Sequence, residues 1–408
     1  MNTSPTHNRT ELEQLSKPLI KKVAIIGAGL GGLAVAIALR KLGYDVQVYE
    51  KAQDFRPIGA GLGLFPNGLN FLDAISPGIV ETIKNSGCVV KTSVLKNIQG
   101  ETIRANPANS YHNYGHPLTT VWWWRLQQIL ASQLPAENIH LNHRCIGFKQ
   151  DEHSVNIFFE NGKQVSADLL IGCDGINSVV RDTLIGNGQP RYLQSMSWRT
   201  VIKYNQEILN PGELGFVKGN KDFMFLLNVG EDYISWVYRR FSPDIMISKN
   251  AEDAKSLVLS NIADWGESLR SLVEATPAAQ IAENPICDRL PLNSWTRGRV
   301  TLLGDAAHPM SPSIGQGANS TFEDAYELAL CFSQASRIED ALANYEQRRI
   351  PRTKLIQNRS ALGEMSYYAT DRTEIDKQMQ EQSNMTSEEF QNWVFNYKLD
   401  QSLNPVNP

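Results

Sequence analysis

The stretch that most constrains the fold is "KKVAIIGAGLGGLAVAIALRKLGYDVQVYEK" at residues 21–51. Its apolar run Val23–Ile26 is typical of a parallel strand buried on both faces. Glycines interrupt the run, and the small apolar residues from about Leu30 to Leu42 then predict a helix that ends at Gly43. The alternating "DVQVYE" that follows predicts a second strand, ending in Glu50. This order is that of a βαβ unit, so the sequence predicts an α/β fold with a parallel sheet.

The turn at residues 27–32 matches the pattern G-x-G-x-x-G of dinucleotide-binding loops. Gly27 allows a tight turn, Gly29 lets the backbone approach a pyrophosphate, and Gly32 lets the helix pack close to the strand. The N-terminus of the helix offers free N–H groups and a positive dipole end to phosphate. Glu50 is placed to accept hydrogen bonds from ribose hydroxyls. The pattern predicts a bound dinucleotide and leaves both NAD and FAD open.

A second glycine-rich stretch, "TLLGDAAHPMSPSIGQGAN" at residues 301–319, places an acid at the end of a buried strand. Asp305 follows Leu302 and Leu303, and prolines and glycines fill residues 309–317 before helical periodicity resumes. A buried carboxylate at this position can accept a hydrogen bond from a ribityl hydroxyl, which FAD has and NAD lacks. The backbone N–H groups of residues 309–317 would then lie against the pyrimidine edge of the flavin. This stretch therefore favours FAD, whose flavin half extends well beyond the adenosine site.

Ser320 and Glu323 match the S-x-x-E capping box, which predicts that the next helix begins there. Its N-terminus would point towards the flavin N1–C2=O region, where negative charge collects on reduction. An N-capping loop that binds no ligand is the alternative interpretation of the same residues.

The rest of the chain divides into regions that differ in their pattern of apolar, aromatic and turn residues. Residues 122–134 predict an amphipathic helix, Asn161-Gly162 predicts a hairpin turn, and a further buried strand ends at Asp174-Gly175. Aromatic and β-branched runs over 191–240 predict an antiparallel sheet. Helices are predicted after it, at 251–274 and from Thr321 to Tyr368. The predicted units are a flexible tail (1–20), a discontinuous FAD-binding domain (21–183 plus 284–375), an inserted β-sheet domain (184–283) and a C-terminal extension (376–408).

Composition excludes several classes of function. The chain of 408 residues carries 39 Lys and Arg against 43 Asp and Glu, for a net charge of −4, and it has no long basic run. This balance argues against nucleic acid or an anionic membrane as the main partner. Five scattered cysteines without a C-x-x-C spacing predict reduced thiols and no metal site. Without a signal-peptide core or an apolar span, the sequence predicts a cytoplasmic protein with no transmembrane segment.

These motifs together resemble those of the group A flavoprotein monooxygenases, the FAD-dependent aromatic hydroxylases typified by p-hydroxybenzoate hydroxylase. The resemblance covers residues from about 22 to 360 and is strongest to the branch with salicylate, 3-hydroxybenzoate and urate hydroxylases and zeaxanthin epoxidase. Its fingerprints are the glycine loop with Glu50, "LLIGCDGINSVVR" at 169–181, and the Gly-Asp stretch around Asp305. It implies a Rossmann-like FAD-binding domain with an inserted antiparallel β-sheet substrate domain and a long C-terminal helical region.

The resemblance also implies which residues contact FAD. Beyond Gly27, Gly29, Gly32 and Glu50, the implied contacts are Leu30, Gly31, Lys51, Arg56, Gly61, Asp174, Arg181, Asp305, Pro312, Gly315, Gly317, Ala318 and Asn319.

One position departs from the family pattern. Relatives usually carry a cofactor-contacting arginine three residues before the Leu-Gln pair that is Leu126-Gln127 here, and this chain has Trp123 at that position. Either Arg125 takes over the contact from a shifted register, or an aromatic contact replaces it.

The substrate side is less sharply indicated. Arg199 and Tyr238 lie on the predicted inserted sheet, where this family lines its substrate pocket, and Pro309 lies on the loop expected opposite. We predict these three as catalytic-site residues, although the phase of the strands leaves open which side chains face the pocket.

The resemblance implies an FAD-dependent monooxygenase in which NADH or NADPH reduces the flavin and O2 adds at C4a to give a hydroperoxide. One oxygen atom would then enter an aromatic or isoprenoid-like conjugated small molecule. Two alternatives stay open from sequence: a flavin-dependent halogenase of the same fold, and a non-catalytic FAD-binding redox sensor.

Overall fold

A computed structural model of the chain describes residues 20–57, 59–186, 188–204 and 206–399. Of the predicted flexible tail, residues 1–19 lie outside the described residues, and so do residues 400–408 of the predicted extension.

The described strands are, in chain order, β1 (Lys22–Ile26), β2 (Asp45–Tyr49), β3 (Gly61–Leu64), β4 (Cys88–Val89), β5 (Thr92–Lys96), β6 (Thr102–Pro107), β7 (Thr119–Trp122), β8 (Ile139–His140), β9 (Cys145–Gln150), β10 (Val155–Phe159), β11 (Gln164–Ala167), β12 (Leu169–Gly172), β13 (Arg191–Lys203), β14 (Glu213–Lys218), β15 (Asp222–Asn228), β16 (Tyr233–Phe241), β17 (Ala282–Asp288) and β18 (Val300–Leu302).

The described α-helices are α1 (Leu30–Lys41), α2 (Pro66–Ile75), α3 (Ile79–Ser86), α4 (Trp123–Ala131), α5 (Val179–Leu184), α6 (Ala251–Asn261), α7 (Glu267–Glu274), α8 (Gly317–Gln334), α9 (Ile338–Tyr368), α10 (Thr373–Glu381) and α11 (Ser387–Phe395).

The predicted βαβ unit forms the centre of a five-stranded sheet in the order β18-β12-β1-β2-β8, in which every pair is parallel. The central strands β1 and β12 are continuous apolar runs because both faces of the sheet are buried there. Helix α1 packs against α8. In the register, Ile26 pairs with Gly172, and Gly172 pairs with Leu302. The carboxyl ends of β1, β12 and β18 therefore meet at one edge, which is where α/β folds bind ligands.

The predicted antiparallel sheet has seven strands in the order β17-β13-β16-β15-β14-β5-β6. Its strands β5 and β6 come from residues 92–107, outside the predicted 184–283 unit, and β5 pairs in parallel with β14. One face of the sheet packs on α6 and α7 around Trp236 and Trp265. The other face is turned towards the parallel sheet.

The described chain from Gly317 onwards is helical, and the predicted helical region 321–368 is two helices, α8 and α9. The predicted extension contains α10 and α11, of which α11 is packed on the body of the protein. The Phe395 ring stacks on Phe65 with centroids 5.3 Å apart, and Arg352 donates to the Val394 carbonyl at 2.8 Å.

Candidate functional site

A cavity of about 640 Å³ lies between the carboxyl edge of the parallel sheet and the seven-stranded sheet. Its volume is within the range of about 300–1,000 Å³ that is usual for small-molecule sites. The predicted site residues that line it are Gly29, Leu30, Gly31, Gly61, Asp305, Pro312, Gly315, Gly317 and Ala318. The predicted site residues outside the lining are Gly27, Gly32, Glu50, Lys51, Arg56, Arg125, Asp174, Arg181, Arg199, Tyr238, Pro309 and Asn319.

The glycines of the first loop differ in what surrounds them. Gly27 has a φ of +104°, and a Cβ there would lie 2.4 Å from the Cys173 carbonyl oxygen. A Cβ on Gly32 would lie 1.9 Å from the Gly27 carbonyl oxygen, so this glycine is required for α1 to pack on the loop. A Cβ on Gly29 would meet nothing within 4 Å. Gly29 therefore presents bare backbone to open space at the N-terminus of α1, as a phosphate-binding position requires.

Glu50 holds the glycine loop in place. Its two carboxylate oxygens accept hydrogen bonds from the backbone N–H groups of Ala28 at 2.8 Å and Ala52 at 2.9 Å. Each carboxylate oxygen keeps a lone pair for a further donor such as a ribose hydroxyl. Lys51 and Arg56 are exposed, and Arg56 pairs with Asp54 at 3.4 Å.

Asp305 follows β18 and faces the cavity without a hydrogen-bond or ion-pair partner among the described residues. Its side chain is exposed to the cavity, but protein atoms surround the cavity at this point. This enclosure raises the pKa of the Asp305 carboxyl by desolvation. The neighbouring His308 lowers this pKa, and the carboxylate of Asp324 raises it further. The strand places this acid at the edge of the sheet, and nothing in the described protein satisfies it. It is therefore available to a ligand.

The loop after Asp305 leads into α8, which begins at Gly317 and not at the predicted capping box. The capping box prediction was wrong because Glu323 is used elsewhere. Its carboxylate pairs with Arg352 at 2.7 Å and Arg349 at 2.9 Å, and the Ser320 hydroxyl has no partner. The first turn of α8 lines the cavity, so its free N–H groups face the space beside Asp305.

Asn319 lies outside the lining of the cavity and is hydrogen-bonded to residues that form the lining. Its side-chain oxygen accepts from the Phe65 N–H at 2.9 Å, and its amide donates to the Gly315 carbonyl at 2.7 Å and the Gly63 carbonyl at 3.2 Å. These bonds fasten the end of β3 to the loop before α8. Asn319 is therefore a positioning residue.

Asp174 and Arg181, from the second fingerprint, bond to the protein itself. Asp174 accepts from the Ser178 hydroxyl at 2.5 Å and from the Val179 N–H at 2.7 Å. Arg181 is buried and donates to the carbonyls of Ala306 and Ala307, both at 3.1 Å. Burial lowers the pKa of Arg181 to about 10, with a smaller effect from Arg289. These two residues fasten the turn after β12 to the loop that carries Asp305.

Arg125 lies outside the lining of the cavity. Its guanidinium donates to the carbonyls of Ser86 at 2.5 Å and Val229 at 3.0 Å, and it pairs with Glu231 at 2.8 Å. These partners hold the side chain outside the lining of the cavity, so the structure does not bring Arg125 to the predicted cofactor site. Trp123 lines the cavity instead.

Two of the predicted catalytic-site residues face away from the cavity. Tyr238 is fully buried on the other face of its strand, where its hydroxyl donates to Asp222 at 2.7 Å and its ring packs on Trp265. Pro309 is buried behind the loop, and its carbonyl accepts from the Gln357 amide at 3.1 Å. The predictions for both residues are corrected: the cavity is lined by their neighbours Val237, Arg239, Met310 and Pro312.

Arg199 lies on the cavity side of the sheet. It pairs with Val237 in the antiparallel register, and directly opposed residues share a face. Burial lowers the pKa of Arg199, and the neighbouring guanidinium of Arg239 lowers it further.

Sequence reasoning missed Arg239 and Glu364. Arg239 lines the cavity, is 5% exposed, and pairs at 2.9 Å with the fully buried Glu364 of α9. In the structure, Arg239 shares a face of β16 with Val237 and not with Tyr238. The sequence carries no signal for this, because β16 is buried on both faces from Ile234 to Arg239.

All five cysteines are free, and no group of three or more potential metal ligands occurs among the described residues. No helix in the described part of the chain has the length and apolarity to cross a membrane.

Comparisons with known proteins agree with this geometry. The sequence profile of the family described as "FAD binding domain" matches residues 21–360. The chain is 31% identical over 340 residues to aurachin C monooxygenase/isomerase of Stigmatella aurantiaca, covering 81% of this chain and 85% of that protein. It is 31% identical to 6-hydroxynicotinate 3-monooxygenase of Bordetella bronchiseptica, covering 82% and 89%.

Among solved structures, Klebsiella pneumoniae HpxO in complex with FAD and uric acid superposes with a TM-score of 0.82 at 25% identity. The superposition covers 92% of this chain and 96% of that one. The predicted α/β fold with its antiparallel sheet and C-terminal helices is thereby confirmed.

Proposed function

The chain belongs to the FAD-binding family of group A flavoprotein monooxygenases, and we propose that it transfers one oxygen atom from O2 to an aromatic or conjugated, largely apolar small molecule. FAD is its cofactor, and NADH or NADPH, typical of group A enzymes, would be the electron donor. When bound, FAD supplies the redox chemistry with the nicotinamide and with O2.

A single observation carries the proposal: one cavity joins the cofactor motifs to the sheet. At one end it is lined by the glycine loop and Asp305, and at the other by largely apolar side chains of the seven-stranded sheet. The sheet residues that line it are Ser93, Leu214, Phe225, Leu227, Val237 and Arg239. A substrate bound against this wall would lie in the same enclosed space as the cofactor.

The residues of this chain fit FAD. Gly29 leaves room where a diphosphate would approach the N-terminus of α1, and Glu50 keeps free lone pairs for the adenosine ribose. Asp305, a carboxylate without a partner, would accept a ribityl hydroxyl, and the first turn of α8 would offer its N–H groups to the flavin ring. These four features lie along one edge of the parallel sheet.

The apolar wall has two tasks in this proposal. It holds the substrate in one orientation, which saves the entropy of a chance encounter, and it keeps water away from the reacting atoms. Met310, Ile314 and the ring of Tyr367 enclose the cavity from the side of the helices. The Tyr367 hydroxyl donates to the Ser313 carbonyl at 2.7 Å, which holds the ring in place.

The test is substrate-stimulated oxidation of NADH or NADPH by the FAD-loaded protein. A panel of aromatic and isoprenoid compounds is added in air, and NAD(P)H oxidation, O2 uptake and product mass are followed. We expect slow oxidation alone, acceleration by some compounds, and a product one oxygen atom heavier. An FAD-loaded protein whose oxidation rate no compound changes would support the redox-sensor alternative instead, and a halogenated product would support the halogenase.

A further inference from the structure

Among the described residues, five that line the cavity carry a hydroxyl group, and these hydroxyls differ in their hydrogen bonds. Three donate to backbone carbonyls, at 2.6, 2.9 and 2.7 Å: those of Ser313, Thr321 and Tyr367. The hydroxyls of Ser93 and Tyr111 have no partner among the described residues, and neither oxygen is enclosed by protein. These two hydroxyls are therefore available to a ligand.

Both free hydroxyls border the same part of the sheet wall. Ser93 on β5 is paired with Leu214 on β14, and both line the cavity. Tyr111 lies in the turn that follows β6, and it packs beside Leu214 against one apolar cluster, which consists of Val90, Ala108 and Leu118. Leu214 is thus a neighbour of both residues. We call Ser93, Tyr111 and Leu214 the distal subsite.

The distal subsite lies across the sheet from the cofactor motifs. In the register, Leu214 is opposite Leu227, and Leu227 is opposite Ser235. The Ser235 hydroxyl accepts from the N–H of Gly61, a predicted cofactor contact, at 2.8 Å. Four strands thus form a row that ends at Ser93, about 14 Å long at the usual strand spacing. A substrate lying along this row would have its far end at the distal subsite.

The Tyr111 ring is held in place from two sides. It packs edge-on against Phe65 and Phe395, with centroids 5.7 and 5.5 Å away, and the Tyr114 hydroxyl of the same turn bonds to Asn392 of α11. Burial raises the pKa of Tyr111, and Tyr114 raises it further. The Tyr111 hydroxyl therefore stays protonated near neutral pH, so it can donate as well as accept.

The distal subsite itself carries no charge. Among the described residues, the charged side chains in the cavity lining are Asp305 and Arg239. Asp305 follows β18 on the parallel sheet, and Arg239 pairs with Glu364 and lies four residues along β16 from Ser235, about 13 Å away. An ionised group at the distal subsite would lose its water without gaining a charged partner, which is costly. The subsite therefore suits an uncharged polar group.

We propose that Ser93 and Tyr111 hydrogen-bond an uncharged oxygen group of the substrate, so that the substrate class is an apolar ring system with a neutral carbonyl or hydroxyl group at its far end. This inference rests on the proposed function, because it places a substrate in the same cavity. Each of the two side chains can donate to a carbonyl oxygen or accept from a hydroxyl. The ring system would pack on Leu214 and Leu227.

The experiment measures binding without turnover, by isothermal titration calorimetry of the FAD-loaded protein at neutral pH in the absence of NAD(P)H. Each polar probe is paired with an apolar analogue of similar shape: 2-acetylnaphthalene with 2-isopropenylnaphthalene, and 4-phenylphenol with 4-methylbiphenyl. Neutral hydrogen bonds predict that a polar probe binds about twofold to tenfold more tightly than its analogue. The first pair reports a carbonyl and the second a hydroxyl, and a preference in either pair supports the proposal. 2-Naphthoate, which carries a carboxylate, should bind more weakly than 2-acetylnaphthalene.

Variants locate the preference. S93A and Y111F each remove one hydroxyl and should each reduce it, and the double variant should abolish it. A general loss of packing would weaken both members of a pair equally, so the ratio of their affinities isolates the hydroxyls. T92A is the matched control, because Thr92 precedes Ser93 on β5 and its side chain is on the opposite face of the strand. FAD retention and circular dichroism show that each variant is folded.

The proposal is wrong if neither polar probe binds more tightly than its apolar analogue to the unaltered protein, or if the double variant keeps the full preference. Tighter binding of 2-naphthoate than of 2-acetylnaphthalene would also overturn it. None of these results depends on catalysis. A failure here with normal substrate-stimulated oxidation would therefore leave the proposed function standing.

Discussion

Two acids at the ends of adjacent parallel strands have opposite surroundings. Asp174, two residues after β12, is fully used by the protein, because it accepts hydrogen bonds from Ser178, Val179 and Val180. Asp305, three residues after β18, faces the cavity with no partner among the described residues. The strands are neighbours in one sheet, and each acid follows a buried apolar run. The same local pattern therefore serves two roles: Asp174 builds the site, and Asp305 is left for the ligand.

The glycine loop shows the same difference between a residue that builds the site and a residue that is open to a ligand. Gly32 is pressed against the Gly27 carbonyl, whereas Gly29 meets nothing. A residue that builds the site should affect the stability of the protein without cofactor, and a residue left for the ligand should affect cofactor affinity. The predictions below test that separation.

The largest effect is expected from Gly32→Ala. Its added methyl would overlap the Gly27 carbonyl oxygen, so backbone must shift, and overpacking of this kind should lower the free energy of unfolding by about 3 kcal/mol or more. The matched variant Gly29→Ala should leave the unfolding of the cofactor-free protein unchanged while weakening FAD binding. Chemical denaturation and FAD titration measure both, and equal destabilisation by the two alanines would contradict the distinction.

Asp174→Ala should cost about 2 kcal/mol of stability, because it leaves the buried hydroxyl of Ser178 and the N–H groups of Val179 and Val180 without an acceptor. Denaturation of the cofactor-free protein is the measurement. Asp305→Ala is the control and should not lower stability. If Asp174→Ala unfolds at the same denaturant concentration as the unaltered protein, Asp174 does not have the structural role assigned here.

Arg125→Ala should lower the free energy of unfolding by about 1–2 kcal/mol, because it releases two backbone carbonyls and Glu231. FAD affinity of the folded variant should stay unchanged, whereas Trp123→Ala should weaken it. A clear loss of FAD affinity in Arg125→Ala, with no loss in Trp123→Ala, would contradict this prediction. It would show that Arg125 makes the cofactor contact expected from the family.

The smallest effect concerns pH. Because burial raises the pKa of Asp305 in the folded protein without cofactor, the folded state binds a proton at this carboxyl more tightly than the unfolded state does. The contribution of Asp305 to the free energy of unfolding therefore falls as the pH rises past the unfolded pKa. Because the Asp305 side chain is exposed to the cavity, solvent screening keeps this effect small. Cofactor-free Asp305→Asn should therefore be slightly more stable than the unaltered protein near pH 7, and the difference should shrink towards pH 4. Melting temperatures across this range would show it, and a difference that grows on acidification would contradict it.

The cofactor end of the cavity could be predicted from sequence because its requirements are local. Gly27, Gly29 and Gly32 lie in one turn, and Asp305 follows the apolar end of a strand that the sequence marks clearly. The parallel register then brings these loops together without further information.

The sheet wall could not be predicted in the same way. β16 is buried on both faces from Ile234 to Arg239, so no polar alternation shows which side chains face the cavity. Tyr238 was therefore assigned to the wrong face and Arg239 was missed. The position of Arg125 could not be predicted for a related reason, since its partners Ser86 and Val229 are remote in sequence and are brought together only by the fold.

The most direct test of the account compares FAD affinity in Asp305→Asn and Asp174→Asn, measured by titrating cofactor-free protein with FAD and following flavin fluorescence at a temperature where both are folded. The account predicts that Asp305→Asn weakens binding by about tenfold to a hundredfold, through the loss of a charge-assisted hydrogen bond, and that Asp174→Asn changes it far less. Unchanged FAD affinity in Asp305→Asn, or a larger loss in Asp174→Asn, would contradict the claim that Asp305 is the acid left free for the cofactor.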